Sequence, residues 1–462
     1  MEKAVTDVGT LVVSLFRSFH NDKILYCVLR NYENLPNEVG NDLDVLVERR
    51  SVLNAEYLLL DCASKIGWEL VRSCKRLGAN TYIFFKSSDD NHAYFHIDIV
   101  WAFVLKRVDW ASDTFVLSRR RYHRGFYVAS DGCQAALVVR NALVGVPIKQ
   151  RYLAQIKKKI SRNMEEFRST YDSYFSKKDI DFFIKSMLEE SYRELHAKAP
   201  SILRRARFFQ AFRNPIRFIG YHCSYIFELF RETFLNPNGL FVVLIGPDGV
   251  GKTTISERLI DELVGPIFSS GTYGHTRPGF LPSISRLFFR DGSKSALVIP
   301  LEPGASHERT PAPMHSSSRC LAYYTYYWVD YFSLWFTLPI VRGRGGMILY
   351  DRYIYEYKIQ KAYGSLPELY YAFLARFVVR PDLLIYLSAP AHIILSRKRE
   401  LTENELVDQQ SICKRLVSDH SNGVEISSNQ GVTNTFKDIE KEIMTFLSRR
   451  ESQRREDRVS SS

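Results

Sequence analysis

The sequence predicts an α/β protein in three parts: an N-terminal α+β part over 1–150, a helical connector over 151–235, and a C-terminal part over 239–448 built on a parallel sheet flanked by helices. Three observations carry this expectation. After residue 239, β-branched apolar runs at Phe241–Ile245, Gly346–Tyr350, Leu383–Leu387 and Val424–Ser427 alternate with helical stretches, as buried parallel strands do. The stretch 151–235 has helical patterning and no convincing strand, and an NPNG turn at 236–239 closes it. Before it, short runs such as DLDVLVE (42–48) and FHIDIVWAF (95–103) gather β-branched and aromatic residues between helical segments. No internal repeat is visible, and the end of the chain, RRESQRREDRVSSS (449–462), reads as a solvated, disordered tail.

At 462 residues the chain is long enough for two or three cores. Its seven cysteines are scattered, odd in number and never spaced Cys-x-x-Cys, which points away from a disulfide framework or a zinc site and towards a reducing, cytoplasmic setting. Near the N-terminus Val5, Val8, Val12, Leu15 and Phe19 recur at helical spacing, so the apolar patch VGTLVVSLF reads as a core-facing helix and not as a signal peptide. The net charge of +12 is concentrated in 151–238, where 17 basic groups face 10 acidic ones. A nucleic-acid groove along the whole molecule is therefore not expected.

Gly246-Pro-Asp-Gly-Val-Gly-Lys252-Thr253 fits G-x-x-x-x-G-K-[ST] between an apolar strand and a helix striped by Ile255, Leu259 and Leu263. Glycines at 246, 249 and 251 let backbone amides converge on phosphate oxygens, and the following helix adds its N-terminal partial charge. Gly246, Asp248, Gly249, Val250, Gly251, Lys252, Thr253 and Thr254 are thus the expected ATP contacts, with Lys252 on the β- and γ-phosphates and the Thr253 hydroxyl on Mg²⁺. A second strand, GGMILY, ends in Asp351-Arg352-Tyr353, at the carboxyl edge where a crevice forms. A third, in RPDLLIYLSAPAHIILSRKRELTENEL, leads to a basic cluster, Arg397, Lys398 and Arg399.

The motifs GPDGVGKTT, DRY, RPDLLIYL and RKRELT together resemble the thymidylate kinase family of nucleoside monophosphate kinases, over nearly all of 240–448. The resemblance implies that Asp351 acts on Mg²⁺ or the acceptor, that Arg352 clamps the acceptor, and that Arg397 and Arg399 neutralise charge in the transition state. Two departures stand out. Ser388 occupies the place of an aspartate after LIYL, so the metal assignment leans on Asp351. The segment 274–318, rich in Pro, Ser and Gly, is too long for a plain connection and reads as an acceptor-binding insertion. His275 and Arg277, with Arg352 and Tyr353, are the expected acceptor contacts. This pattern looks most like the thymidylate kinase-like proteins of bacterial surface-polysaccharide synthesis, whose acceptor need not be a nucleotide. The aromatic segment CLAYYTYYWVDYFSLWFTLPI (320–340) has the length of a membrane span, but Asp330 within it and tyrosines throughout favour a buried helix lining the acceptor crevice.

In the N-terminal part, Asp42 and Asp44 fall at i and i+2 on one strand face, and Asp98 sits on another strand. Such a triad can gather two Mg²⁺ ions. It resembles the polymerase-β-like nucleotidyltransferases over about residues 20–105, although Arg30-Asn31-Tyr32-Glu33 stands where that superfamily carries a Gly-Ser pair. An active nucleotidyltransferase and a retained, inactive fold are both consistent with these residues. The connector mixes Arg204, Arg205, Arg207, Arg213 and Arg217 with Phe208, Phe209, Phe212, Phe218 and Tyr221. That suits an anionic membrane surface across 201–234, or, as the favoured reading, a helix packing its aromatics between domains with its arginines in water. No nucleic-acid reader motif is present. The expected function is an ATP- and Mg²⁺-dependent kinase acting on a sugar or glycan acceptor; a dTMP kinase and a catalytically silent nucleotide-binding module are the alternatives.

Overall fold

The computed structural model describes residues 2–40, 42–87, 92–106, 108–145, 150–275, 278–281, 317–359, 367–397 and 402–460. It forms two compact units, Met1–Leu229 with Leu447–Ser462, and Phe230–Phe446. Arg277, Arg399 and most of the long segment 274–318 lie outside the described residues.

The first unit is built on a seven-stranded mixed sheet. Its strands are β1 (Tyr26–Val28), β2 (Asp42–Val47), β3 (Glu69–Arg76), β4 (Ala79–Ser87), β5 (His92–Val100), β6 (Arg121–His123) and β7 (Phe126–Val128), in the order β3-β4-β5-β2-β1-β7-β6. Alternation along the strands feeds two cores. Tyr26, Val28, Val45 and Val47 face the helix Glu2–Asn21, which buries Val8, Val12, Leu15 and Phe19 against them. Cys27 and Leu46 face the other way, into a core shared with Phe167, Phe183 and Ile202 from the later helices. Apolar residues of the expected connector between Ile156 and Ala206 belong to this core. β2 and β5 run parallel, in a register that sets Asp44 opposite Asp98.

The second unit carries a five-stranded, wholly parallel sheet: β8 (Leu240–Ile245), β9 (Gly271–His275), β10 (Met347–Asp351), β11 (Leu383–Ser388) and β12 (Gly423–Ser427), in the order β9-β10-β8-β11-β12. The four strands expected from the sequence are present, and β9 is an addition at the edge. All six residues of β8 are buried, as expected for a central strand covered on both faces. The connection after β8 leads to the edge strand β9, whereas the one after β10 crosses to β11 on the other side of β8, so the carboxyl end of β8 lies at the topological switch point where α/β sheets bind ligands.

The aromatic segment forms two helices, Ser317–Phe332 and Leu334–Gly343, in which Tyr331 is fully buried beside Tyr353 and Tyr357. Asp330, also fully buried, accepts backbone N–H bonds from Gly279, Phe280 and Leu281 at 2.6–3.0 Å. Among the described residues no helix is long and apolar enough to cross a membrane. The tail read as disordered is instead helical as far as Ser460, part of the helix Val432–Ser460. One of its charges is buried: Glu451, 1% exposed, accepts from Ser73 at 2.7 Å and pairs with Arg454 at 2.9 Å.

Candidate phosphate-binding site

The loop between β8 and the helix Lys252–Leu263 has the backbone its glycines permit. Gly246, Gly249 and Gly251 have φ of 153°, 87° and 103°, conformations that side chains resist. A Cβ on Gly246 would also stand 2.7 Å from the Leu387 carbonyl oxygen. The helix starts immediately after Gly251, so its free amides and partial positive charge face the loop. Ile255, Leu259 and Leu263 bury the opposite stripe.

Lys252 is buried, and its ammonium donates to the carbonyls of Gly246 at 2.7 Å and Pro247 at 2.9 Å. It also stands 3.7 Å from the Asp248 carboxylate. Asp351, at the end of β10 and 1% exposed, receives the Thr253 hydroxyl at 3.2 Å, Tyr273 at 3.5 Å and His275 Nδ1 at 3.5 Å. Burial pushes its pKa up, but the His275 hydrogen bond and the charges of Lys252 and Arg352 outweigh that and hold it below the ordinary carboxylate range. Thr253 and Asp351 offer hard oxygen donors side by side, as Mg²⁺ requires when phosphates and water complete its shell. These residues fit the metal.

Arg352 follows with φ 87°, an unusual backbone for a non-glycine residue. It pairs with Asp248 and, at 3.0 Å, with Glu356, whose side chain is buried. Burial works against the charge of Arg352, yet Glu356, Asp248 and Asp351 together raise its pKa. Burial raises that of Glu356 despite Arg352.

The structure thus brings together Gly246, Asp248, Lys252, Thr253, His275, Asp351 and Arg352. It corrects Tyr353 as an acceptor contact: the ring is 1% exposed, lies against Phe241 and Tyr331, and donates its hydroxyl inward to the Val379 carbonyl. Arg397 is exposed at the end of the helix Ala391–Arg397, and among the described residues no hydrogen bond or ion pair joins it to the loop. Tyr273, Glu356 and the Asp248–Arg352 pair were not anticipated. Tyr273 and His275 share a face of β9 by strand periodicity, a signal hidden because β9 itself is glycine-rich.

The N-terminal carboxylates form a different site. Asp44 and Asp98 are cross-strand neighbours, but the Arg30 guanidinium donates to Asp42 at 2.7 Å and to Asp44 as well. Burial first, and the Asp44 charge second, push the Asp98 pKa up to about 6. Among the described residues no group of three His, Cys, Asp or Glu side chains is placed to hold a metal. The Arg30 guanidinium thus bridges two of the three carboxylates expected to hold Mg²⁺.

The fold and the loop support a nucleotide-binding protein of the kinase type. The chain is 25% identical over 220 residues to a probable thymidylate kinase of Staphylothermus marinus, covering 46% of this chain and 97% of the relative. Among solved structures it is similar to a thymidylate kinase from Ehrlichia chaffeensis (15% identity, 44% of this chain and 98% of that one, TM-score 0.29) and to JHP933 from Helicobacter pylori (12% identity, 44% and 98%, TM-score 0.24). No protein-family model matches.

Proposed function

We propose that the second unit is an ATP- and Mg²⁺-dependent phosphotransferase acting in the cytoplasm on a sugar or glycan acceptor of surface-polysaccharide synthesis. The observation that carries the transfer reading is the meeting of Lys252, Thr253 and Asp351 at the tip of β8. Loop amides and the Lys252 ammonium bind the triphosphate, and Thr253 with Asp351 would hold Mg²⁺, which supplies charge neutralisation at the transferred phosphoryl group. Asp351, kept ionised, also provides a hydrogen-bond acceptor for an incoming hydroxyl.

Arg352 supports the neutral acceptor. Its charge is matched by Asp248 and Glu356, so around it Lys252 and Arg352 face three carboxylates, Asp248, Asp351 and Glu356. An acceptor phosphate would have to displace a carboxylate from an arginine already satisfied, whereas hydroxyls gain from carboxylate acceptors. The similarity to a probable thymidylate kinase favours dTMP as a second reading. ADP release with purified protein, offered dTMP, free sugars and oligosaccharides in turn, separates the two. Stimulation by dTMP above every sugar would overturn the glycan reading and leave the kinase reading standing. Glu356→Gln removes one negative charge without changing shape; on the glycan reading it raises affinity for dTMP, measured calorimetrically with Mg²⁺ and a non-hydrolysable ATP analogue. For the first unit we propose a retained, catalytically silent nucleotidyltransferase-like fold, supported by Arg30 between Asp42 and Asp44.

A further inference from the structure

The helix Pro215–Phe230 contains no buried residue. It is not loose for that reason, because one side of it is tied to the first unit. Arg217 pairs with Asp109 at 3.2 Å, and the Tyr221 hydroxyl donates to the same carboxylate at 3.1 Å. Asp109 is itself only 8% exposed. Phe218, Tyr221 and His222, on this side, are half-buried.

The opposite side is apolar and open. Ile216, Ile219, Ile226 and Phe227 are 87%, 61%, 65% and 62% exposed, and Cys223 among them is exposed too. At 3.6 residues per turn these positions fall within one arc of roughly 100°. Phe208 and Phe212, at 67% and 75%, are exposed near the end of the preceding helix, Tyr192–Arg213. The expectation that this segment buries its aromatics while only its arginines meet water is therefore corrected: at these positions the apolar side chains are in water as well.

Soluble proteins seldom leave a continuous apolar stripe uncovered without a partner for it. The charge around this one selects the partner. Across 201–229 the sequence carries five arginines and one acidic residue, Glu228; Arg205 and Arg217 pair with Asp179 and Asp109 of the first unit, so the excess positive charge rests on Arg204, Arg207 and Arg213. A helix with an apolar arc, flanking arginines and too little hydropathy to span a bilayer lies in the plane of an anionic lipid surface.

We propose that the segment 208–229 is a membrane-surface docking element, seating its Ile/Phe arc at the headgroup boundary of anionic phospholipids while Arg217 and Tyr221 hold it on the first unit. This inference is independent of the catalytic reading and survives if the kinase site proves silent.

The test is flotation of the full-length protein with vesicles of phosphatidylcholine alone or mixed with phosphatidylglycerol. The protein should float with the mixed vesicles, much less with phosphatidylcholine, and the bound fraction should fall as salt rises. Ile216→Glu with Ile226→Glu should cut binding at least ~10-fold. Arg204→Glu should weaken it on anionic vesicles alone. Circular dichroism and an unchanged melting temperature show that these variants fold. Wild-type protein that stays with the soluble fraction in the presence of anionic vesicles overturns the proposal. So does a wild-type dimer that the double substitution turns into a monomer, because the stripe then belongs to a second copy of the chain.

Discussion

Both units place a carboxylate of interest on a strand of the central sheet, Asp44 and Asp98 in the first and Asp351 in the second, yet the two sites differ in what faces them. In the second unit, Asp351 faces a hydroxyl, a tyrosine and a histidine, with Arg352 3.9 Å away, and the buried Lys252 sits on the adjoining glycine loop. In the first, Asp42 and Asp44 face Arg30, a cation supplied by the same fold. The difference lies in how the cations are placed: Arg30 donates to both carboxylates of a pair, whereas the cations near Asp351 are shared with Asp248, Glu356 and the loop carbonyls. An arginine two hydrogen bonds deep offsets part of the charge that would draw a divalent ion.

The comparison can be broken most sharply at Lys252. Lys252→Ala should lower phosphoryl transfer by at least ~100-fold, measured as ADP release, because it removes the buried ammonium that meets the polyphosphate. Undiminished transfer would show that the loop is not the transfer site. Asp351→Asn should cost on the order of 10–100-fold in the same assay, and raised Mg²⁺ should restore part of it if the carboxylate acts through the metal. Asp42→Asn with Asp44→Asn should leave transfer unchanged; loss of any nucleotide incorporation in this variant would mean that the first unit is active after all.

Smaller effects sharpen the contrast. Arg30→Ala should destabilise the first unit by about 1–2 kcal/mol in urea unfolding, since it leaves two neighbouring carboxylates without their shared donor. Asp98→Asn should act in the other direction. The Asp98 pKa rises from 3.8 to about 6 on folding, so the folded state holds a proton that the unfolded state releases between those values. Stability therefore falls as pH rises through that window, and the asparagine should flatten the slope and add on the order of 1 kcal/mol above pH 6. A slope that persists in the variant would assign it to another group.

The phosphate loop was legible because its chemistry is local: three glycines, a lysine and a threonine within eight residues, after a strand whose side chains are all buried. The edge strand β9 was not, because packing chose its residues against strand propensity. A Cβ on Gly274 would lie 2.3 Å from the Tyr350 ring, and one on Gly271 would lie 2.7 Å from Val264. Arg30 was visible as a departure from the nucleotidyltransferase pattern, but its pairing with residues 12 and 14 positions away depends on the register of β1 and β2, which single-residue patterns do not encode. Tyr353 was misassigned because it adjoins Asp351 and Arg352 in sequence, while its ring turns into the core. The tail misled through composition: a charge-rich helix end that buries Glu451 against Ser73 and Arg454 looks like solvent-seeking chain.

Arg352 and Tyr353 are consecutive residues with φ of 87° and 54°. Any scheme for engineering a hardier protein from backbone preference alone would nominate both for glycine. Following it would relax two torsions while deleting the guanidinium that bridges Asp248 and Glu356 and the ring that fills the core beneath. At this bend, side-chain chemistry outranks conformational ease, and a library built to improve thermostability should leave both codons alone.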